Sequence, residues 1–194
     1  MIRDRRSKKI VAVLHCLLNH NSRDIGAAKY CGINIDAIDV LMKHDVGLIQ
    51  MPCPEMTCID LQRTRAAGIS IRDALDTPDG RTCCKELALP IADAIDEYQR
   101  NGFEVIAILG GDVESPGCAV PSPSDSNNFD SKTRRYGVFT QALRDELLSR
   151  NIYIPFRGIR DSARKTLNQD IEWLDNFLSG SNGNTPKHRW FSRK

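Results

Sequence analysis

Ile10-Val-Ala-Val-Leu-His-Cys-Leu-Leu18 is the stretch on which the reading of this chain turns. It follows a basic segment, Arg3, Arg5, Arg6, Lys8 and Lys9, so the two together mimic the charged and apolar regions of a secretory signal. The apolar part is short, however, and His15 and Asn19 fit poorly with a small-residue cleavage site. A first β-strand buried on both faces explains the same pattern, because a central parallel strand reads as a continuous apolar run rich in β-branched residues. The strand is the preferred reading, and it keeps Cys16 in the mature, cytoplasmic chain.

Outward from this strand the sequence alternates. Ile35, Ile38 and Met42 stand at helical spacing behind Asn34, a candidate N-cap. Val46-Gly-Leu-Ile-Gln-Met51 reads as a second strand stopped by Pro52 and Pro54. Residues 56–80 give a mixed signal and no assignment. Leu87, Ile91, Ile95 and Tyr98 form a helical stripe ended by Asn101-Gly102, with Pro90 marking a start or a kink. Phe103-Glu-Val-Ile-Ala-Ile-Leu109 is a third buried strand that opens into Gly110-Gly111. Residues 121–135 are polar and turn-rich, the pattern of a long loop. Phe139, Leu143 and Leu147 predict a further helix, Ile152–Phe156 a short edge strand containing Pro155, and Leu167, Ile171, Leu174 and Leu178 a last helix. Alternating strands and helices predict a single α/β domain over 1–180, with a mostly parallel sheet flanked by helices in the Rossmann or flavodoxin-like manner. Residues 181–194 read as a basic C-terminal tail.

Composition narrows the function. The 194 residues carry 27 Lys and Arg against 25 Asp and Glu, a net charge of +2, so no strong field for nucleic acid or acidic lipid arises. Aromatics at 6% argue against a base-stacking platform. No apolar run approaches the roughly 20 residues that span a bilayer, so no membrane partner is expected. Arg134-Arg135 and the tail residues Lys187, Arg189, Arg193 and Lys194 invite an RNA-phosphate reading, but such charges more often mark a solvated loop and a frayed terminus.

Seven cysteines are many for a chain of this size, which is long enough to bury a core without disulfide staples. Metal binding or thiol chemistry is therefore the expectation for some of them. Cys16 lies at the end of the first strand, Cys53 just after the second, and Cys118 in the loop after the third. Right-handed crossovers put these strand ends on one rim of a parallel sheet, where ligands bind. Two readings stand on position alone. The three are ligands of an iron–sulfur cluster, which recruits thiolates from distant segments, or they are three buried thiols. No CxxC pair suits a structural zinc. Cys58 reads as an extra ligand or, with more weight, a buried thiol. Cys83-Cys84 lie near a helix start, where a thiol pKa can fall, although a plain structural pair is the simpler reading. His15 and His20 flank the first cysteine, and Asp112 precedes Ser115. Cys31 and His44 receive no role.

The segments His15-Cys-Leu-Leu-Asn19, Pro52-Cys-Pro-Glu55 and Ser115-Pro-Gly-Cys118, followed by Tyr136-Gly-Val-Phe139, resemble the thiouracil desulfidase family over roughly residues 9–150. Departures mark a divergent branch: Asn19 stands where Gly is usual, Gly117-Cys118-Ala119 replaces Ser-Cys-Gly, and Met56-Thr-Cys-Ile59 replaces a Gly-rich stretch. The resemblance implies a [4Fe-4S] cluster held by Cys16, Cys53 and Cys118 with one iron open. It implies Glu55 as catalytic acid/base with Ser115 as its polar partner. The implied reaction removes sulfur as hydrosulfide from a small thiolated pyrimidine or related thioamide. Two other readings compete with it: a desulfidase of thiolated RNA nucleosides, and a non-enzymatic α/β module that senses oxidation through clustered cysteines. No G-x-G-x-x-G or P-loop favours a nucleotide cofactor.

Overall fold

The computed structural model describes residues 4–121 and 135–180. Four parallel strands form one sheet, β1 (Lys9–Leu14), β2 (Gly47–Met51), β3 (Glu104–Gly110) and β4 (Phe156–Gly158), in the order β2-β1-β3-β4. β1 is internal. Ile10 to Leu14 pair with Gly47 to Met51 on one side, and Lys9 to Val13 pair with Glu104 to Leu109 on the other, with a register shift between Ile10 and Val11. Val11, Ala12 and Val13 are fully buried, which accounts for the unbroken apolar run. Burying one such valine is worth about 1.5–3 kcal/mol, so the preceding basic residues cannot draw this segment out of the sheet.

The helices are α1 (His15–Leu18), α2 (Ile35–Lys43), α3 (Pro54–Cys58), α4 (Ile71–Leu75), α5 (Pro78–Arg100), α6 (Val138–Ser149) and α7 (Arg164–Leu178), with a 3₁₀ turn at His20–Ser22. α2 packs on α7 and α5 on α6. The connection leaves β1 toward β2 and returns past it to β3, so right-handed crossovers place these two pairs on opposite faces. This is a single α/β domain of the Rossmann-like type, with the strand order of a flavodoxin-like sheet.

Asn34 caps α2 as expected, its side chain accepting from the Ala37 N–H. Asn101-Gly102 ends α5, with Gly102 at φ +77°. Two boundaries differ from the periodicity. α5 does not start at Pro90 but runs through it from Pro78, behind the Thr77 cap. Pro90 faces solvent, so the missing backbone bond lies on the exposed side. β4 begins at Phe156 rather than Ile152. Pro155 has no N–H to give to a ladder, and only its carbonyl is used, accepting from Ile108 N–H at 2.9 Å. The strand is nevertheless the edge that Pro155 predicts.

Residues 56–80, unassigned by pattern, hold two short helices and a covalent link. Cys58 at the end of α3 is joined to Cys83 in α5 by a disulfide, Cα–Cα 5.8 Å. Cys58 is thus neither an additional ligand nor a free thiol. Cys83 and Cys84 follow the simpler, structural reading rather than that of a lowered thiol. Cys83 is in the disulfide, and burial, helped by Asp76, pushes the Cys84 thiol up to about 11. Closing a loop across a separation of 25 residues is worth roughly 3–4 kcal/mol in the chain-entropy picture. The Cys58→Ser/Cys83→Ser double variant should lose about that much in urea unfolding and should unfold no differently in the presence of a thiol reductant.

The expected loop at 121–135 lies almost wholly outside the described residues, as does the 181–194 tail. No helix among the described residues is long and apolar enough to cross a membrane.

Candidate functional site: a thiol cluster at the rim of the sheet

Each of the three candidate cysteines lies beyond the C-terminal end of a different strand. Cys16 is in α1, which starts one residue after β1; Cys53 is the N-cap of α3, two residues after β2; Cys118 closes the loop after β3. That loop is tightly tied. Gly111 N–H donates to Cys118 O at 2.8 Å, Ala119 N–H to Ser115 O at 3.1 Å and Val120 N–H to Gly111 O at 3.2 Å. A Cβ on Gly111 would lie 2.8 Å from Ser115 Oγ and 2.9 Å from Cys118 Sγ. Only glycine lets the hydroxyl and the thiol share this spot. From the other side the start of α6 grips the loop: Phe139 N–H donates to Gly117 O at 2.9 Å and Gly137 N–H to Ala119 O at 3.0 Å. A Cβ on Gly137 would meet the Cys118 nitrogen at 2.3 Å, which explains the glycine of Tyr136-Gly-Val-Phe139.

The structure brings Cys16, Cys53, Cys118, Glu55 and Ser115 together. Burial pushes the Cys118 thiol well up, and Cys16, Glu55 and Cys53 add to the rise while the Ser115 hydroxyl opposes it. Burial pushes Cys16 up to about 11, against the pull of Arg23 and with smaller additions from Cys53 and Asp161. Cys53 is also raised by burial, and the Met56 and Glu55 backbone N–H groups and the Arg63 guanidinium work the other way. Burial thus favours the protonated form of all three thiols. A positive centre among them reverses that preference.

Two arginines that the sequence reading passed over reach this group. Arg23 Nη2 is 3.7 Å from Cys16 Sγ, and the same guanidinium holds Asp161 through both nitrogens at 2.9 and 2.6 Å. Asp161 lies beyond the end of β4 and also meets Asn34 Nδ2 at 3.4 Å and His20 Nε2 at 3.7 Å. His20 is thus part of the Asp161 group and is lowered chiefly by burial. His15 instead pairs with Gln50 of β2, and Asp112 accepts from the Ser162 hydroxyl at 2.8 Å. Arg63, with a side chain only 1% exposed, has Nη2 3.6 Å from Cys53 Sγ and Nε 3.5 Å from Glu55 Oε2. Nη2 also donates to Ser22 O and Nη1 to Leu61 O, both at 2.6 Å. His44 is taken up by Asp175 of α7 at 2.7 Å, and Cys31 is an exposed thiol. Arg134 and the basic tail lie outside the described residues.

Among the described residues no three His, Cys, Asp or Glu side chains stand close enough to hold a single metal ion. A cluster of several iron and sulfide atoms is wider than one ion and takes its thiolates from further apart. The donor set suits such a group: three thiols on one rim, N–H donors on two of them, and a glycine cradle under the third.

No known family profile matches the chain. An uncharacterized protein of Methanocaldococcus jannaschii is 31% identical over 103 residues, which is 53% of this chain and 64% of that protein. The match therefore spans less than two thirds of the relative's length. No solved structure matches.

Proposed function

We propose that the protein is an iron–sulfur-dependent desulfidase that removes sulfur, as hydrosulfide, from a thiolated pyrimidine or a related thioamide. The observation that carries this reading is the meeting of Cys16, Cys53 and Cys118 beside Glu55 and Ser115, five residues drawn from three separate strand ends. When bound by three thiolates, a [4Fe-4S] cluster supplies one iron with an open position for a soft thiocarbonyl sulfur. The remaining work falls to the side chains. Glu55 accepts a proton from the water that attacks the ring carbon and returns it as the carbon–sulfur bond breaks. Arg63, 3.5 Å away, fixes the carboxylate on the side of Cys53. The Ser115 hydroxyl, over Gly111 and next to Cys118, orients the ring. One water is consumed, C=S becomes C=O, one hydrosulfide and one proton leave, and no electron is transferred.

The oxidation-sensing alternative would have the rim thiols pair with one another. The disulfide instead joins Cys58 and Cys83, and Cys16, Cys53 and Cys118 are all free. The three rim thiols thus remain available as ligands, as the enzyme reading requires.

Anaerobic purification, iron and acid-labile sulfide analysis, and hydrosulfide release from 2- and 4-thiouracil test the reading. About four iron atoms per chain with release of hydrosulfide is expected. Full iron content without release from any thiolated pyrimidine or thioamide would overturn the activity, and absence of iron would overturn the cofactor as well.

A further inference from the structure

A buried guanidinium is rare unless each of its donors is answered. Arg63 answers two with carbonyls, at Ser22 and Leu61, and directs the rest of its charge at the Cys53 sulfur and the Glu55 carboxylate. Its Nε has no hydrogen-bond partner among the described residues. Arg23 is the same device built from another loop, held by Asp161 and presented to the Cys16 sulfur. Arg23 follows the 3₁₀ turn and Arg63 follows α3, so nothing local in the chain requires both to end on thiols. Among the described residues, Cys118 is met by the Ser115 hydroxyl.

We propose that Arg23 and Arg63 are positioning residues of the thiolate site, each fixing one ligand sulfur through an N–H···S bond and supplying its counter-charge. The inference rests on the cluster reading above. Its chemistry is that of outer-shell donors generally. An N–H on a ligand sulfur withdraws electron density, which raises the reduction potential of the iron behind it and strengthens that iron as a Lewis acid. The arrangement is lopsided. The Cys16 and Cys53 sulfurs are drawn on by cations, and the Cys118 sulfur by a neutral hydroxyl.

The test is a potentiometric titration of the reconstituted protein, followed by visible absorption and electron paramagnetic resonance, with iron and sulfide counted in parallel. Arg23→Met and Arg63→Met should each move the midpoint to a more negative value than wild type, and the double variant should move it further. Arg63→Lys, which keeps the charge and part of the donor set, should fall between. A folded variant, by circular dichroism, that takes up no iron supports the assignment equally. Should Arg63→Met not fold, Arg23→Met and Arg63→Lys decide the matter, since the Arg23 side chain is partly exposed. Midpoints equal to wild type at equal iron content overturn this inference and leave the desulfidase standing. A wild-type protein that binds no iron and sulfide overturns both.

Discussion

Glu55→Gln should keep its iron and sulfide and lose most of its hydrosulfide release. Gln preserves the size of the side chain and still offers an oxygen to Arg63, which stands 3.5 Å from the carboxylate. It cannot take up a proton, and general acid–base groups contribute about 10²–10⁴-fold, so turnover should fall by that much at unchanged iron content. Ser115→Ala should also keep its iron and lose less, because the hydroxyl orients and does not carry the proton. Activity of Glu55→Gln within a few-fold of wild type, measured per iron, would remove the carboxylate from the mechanism while leaving the cluster in place.

Cys53→Ser should lose the cluster itself. An alcohol is a poor ligand for iron, and only three thiols converge on the rim, so nothing stands in reserve. Cys58 is five residues on at the far end of α3 and is bonded to Cys83. The discriminating comparison is therefore Cys53→Ser against Cys58→Ser/Cys83→Ser, both reconstituted anaerobically. The first should retain a small fraction of the wild-type iron, and the second should retain it fully despite its lower stability. Equal iron in the two would mean that the ligand set has been misassigned.

What could be read from the chain in advance follows from the range of each interaction. β1, β2 and β3 announce themselves because a strand buried on both faces has to be apolar throughout, as Val11, Ala12 and Val13 are. The alternation of strands and helices then limits the topology, and with it the rim on which Cys16, Cys53 and Cys118 meet. Arg23, Arg63 and Asp161 were not legible, because their roles come from partners far away in sequence: Arg23 and Asp161 are 138 residues apart. Arg63 also sits in the 56–80 stretch, whose α3 and α4 are five residues each, too short to show a period. Gly137 could be seen as part of a motif, but its reason, the Cys118 nitrogen lying where a Cβ would go, exists only in three dimensions. The Cys58–Cys83 bond was missed for a related cause. A core of this size does not need a staple, so size gave no signal for one.

The clasp between Gly137 N–H and Ala119 O has an evolutionary reading. It fastens the two ends of the stretch 120–136 to each other and to the backbone on either side of Cys118. A change in the number of residues between positions 120 and 136 alters the closure entropy by only about 0.6 kcal/mol per doubling. The bonds that Gly137 and Phe139 make to Ala119 and Gly117 do not depend on that number. Drift in length there is cheap for the fold, whereas any side chain at Gly111 or Gly137 collides with the Cys118 loop.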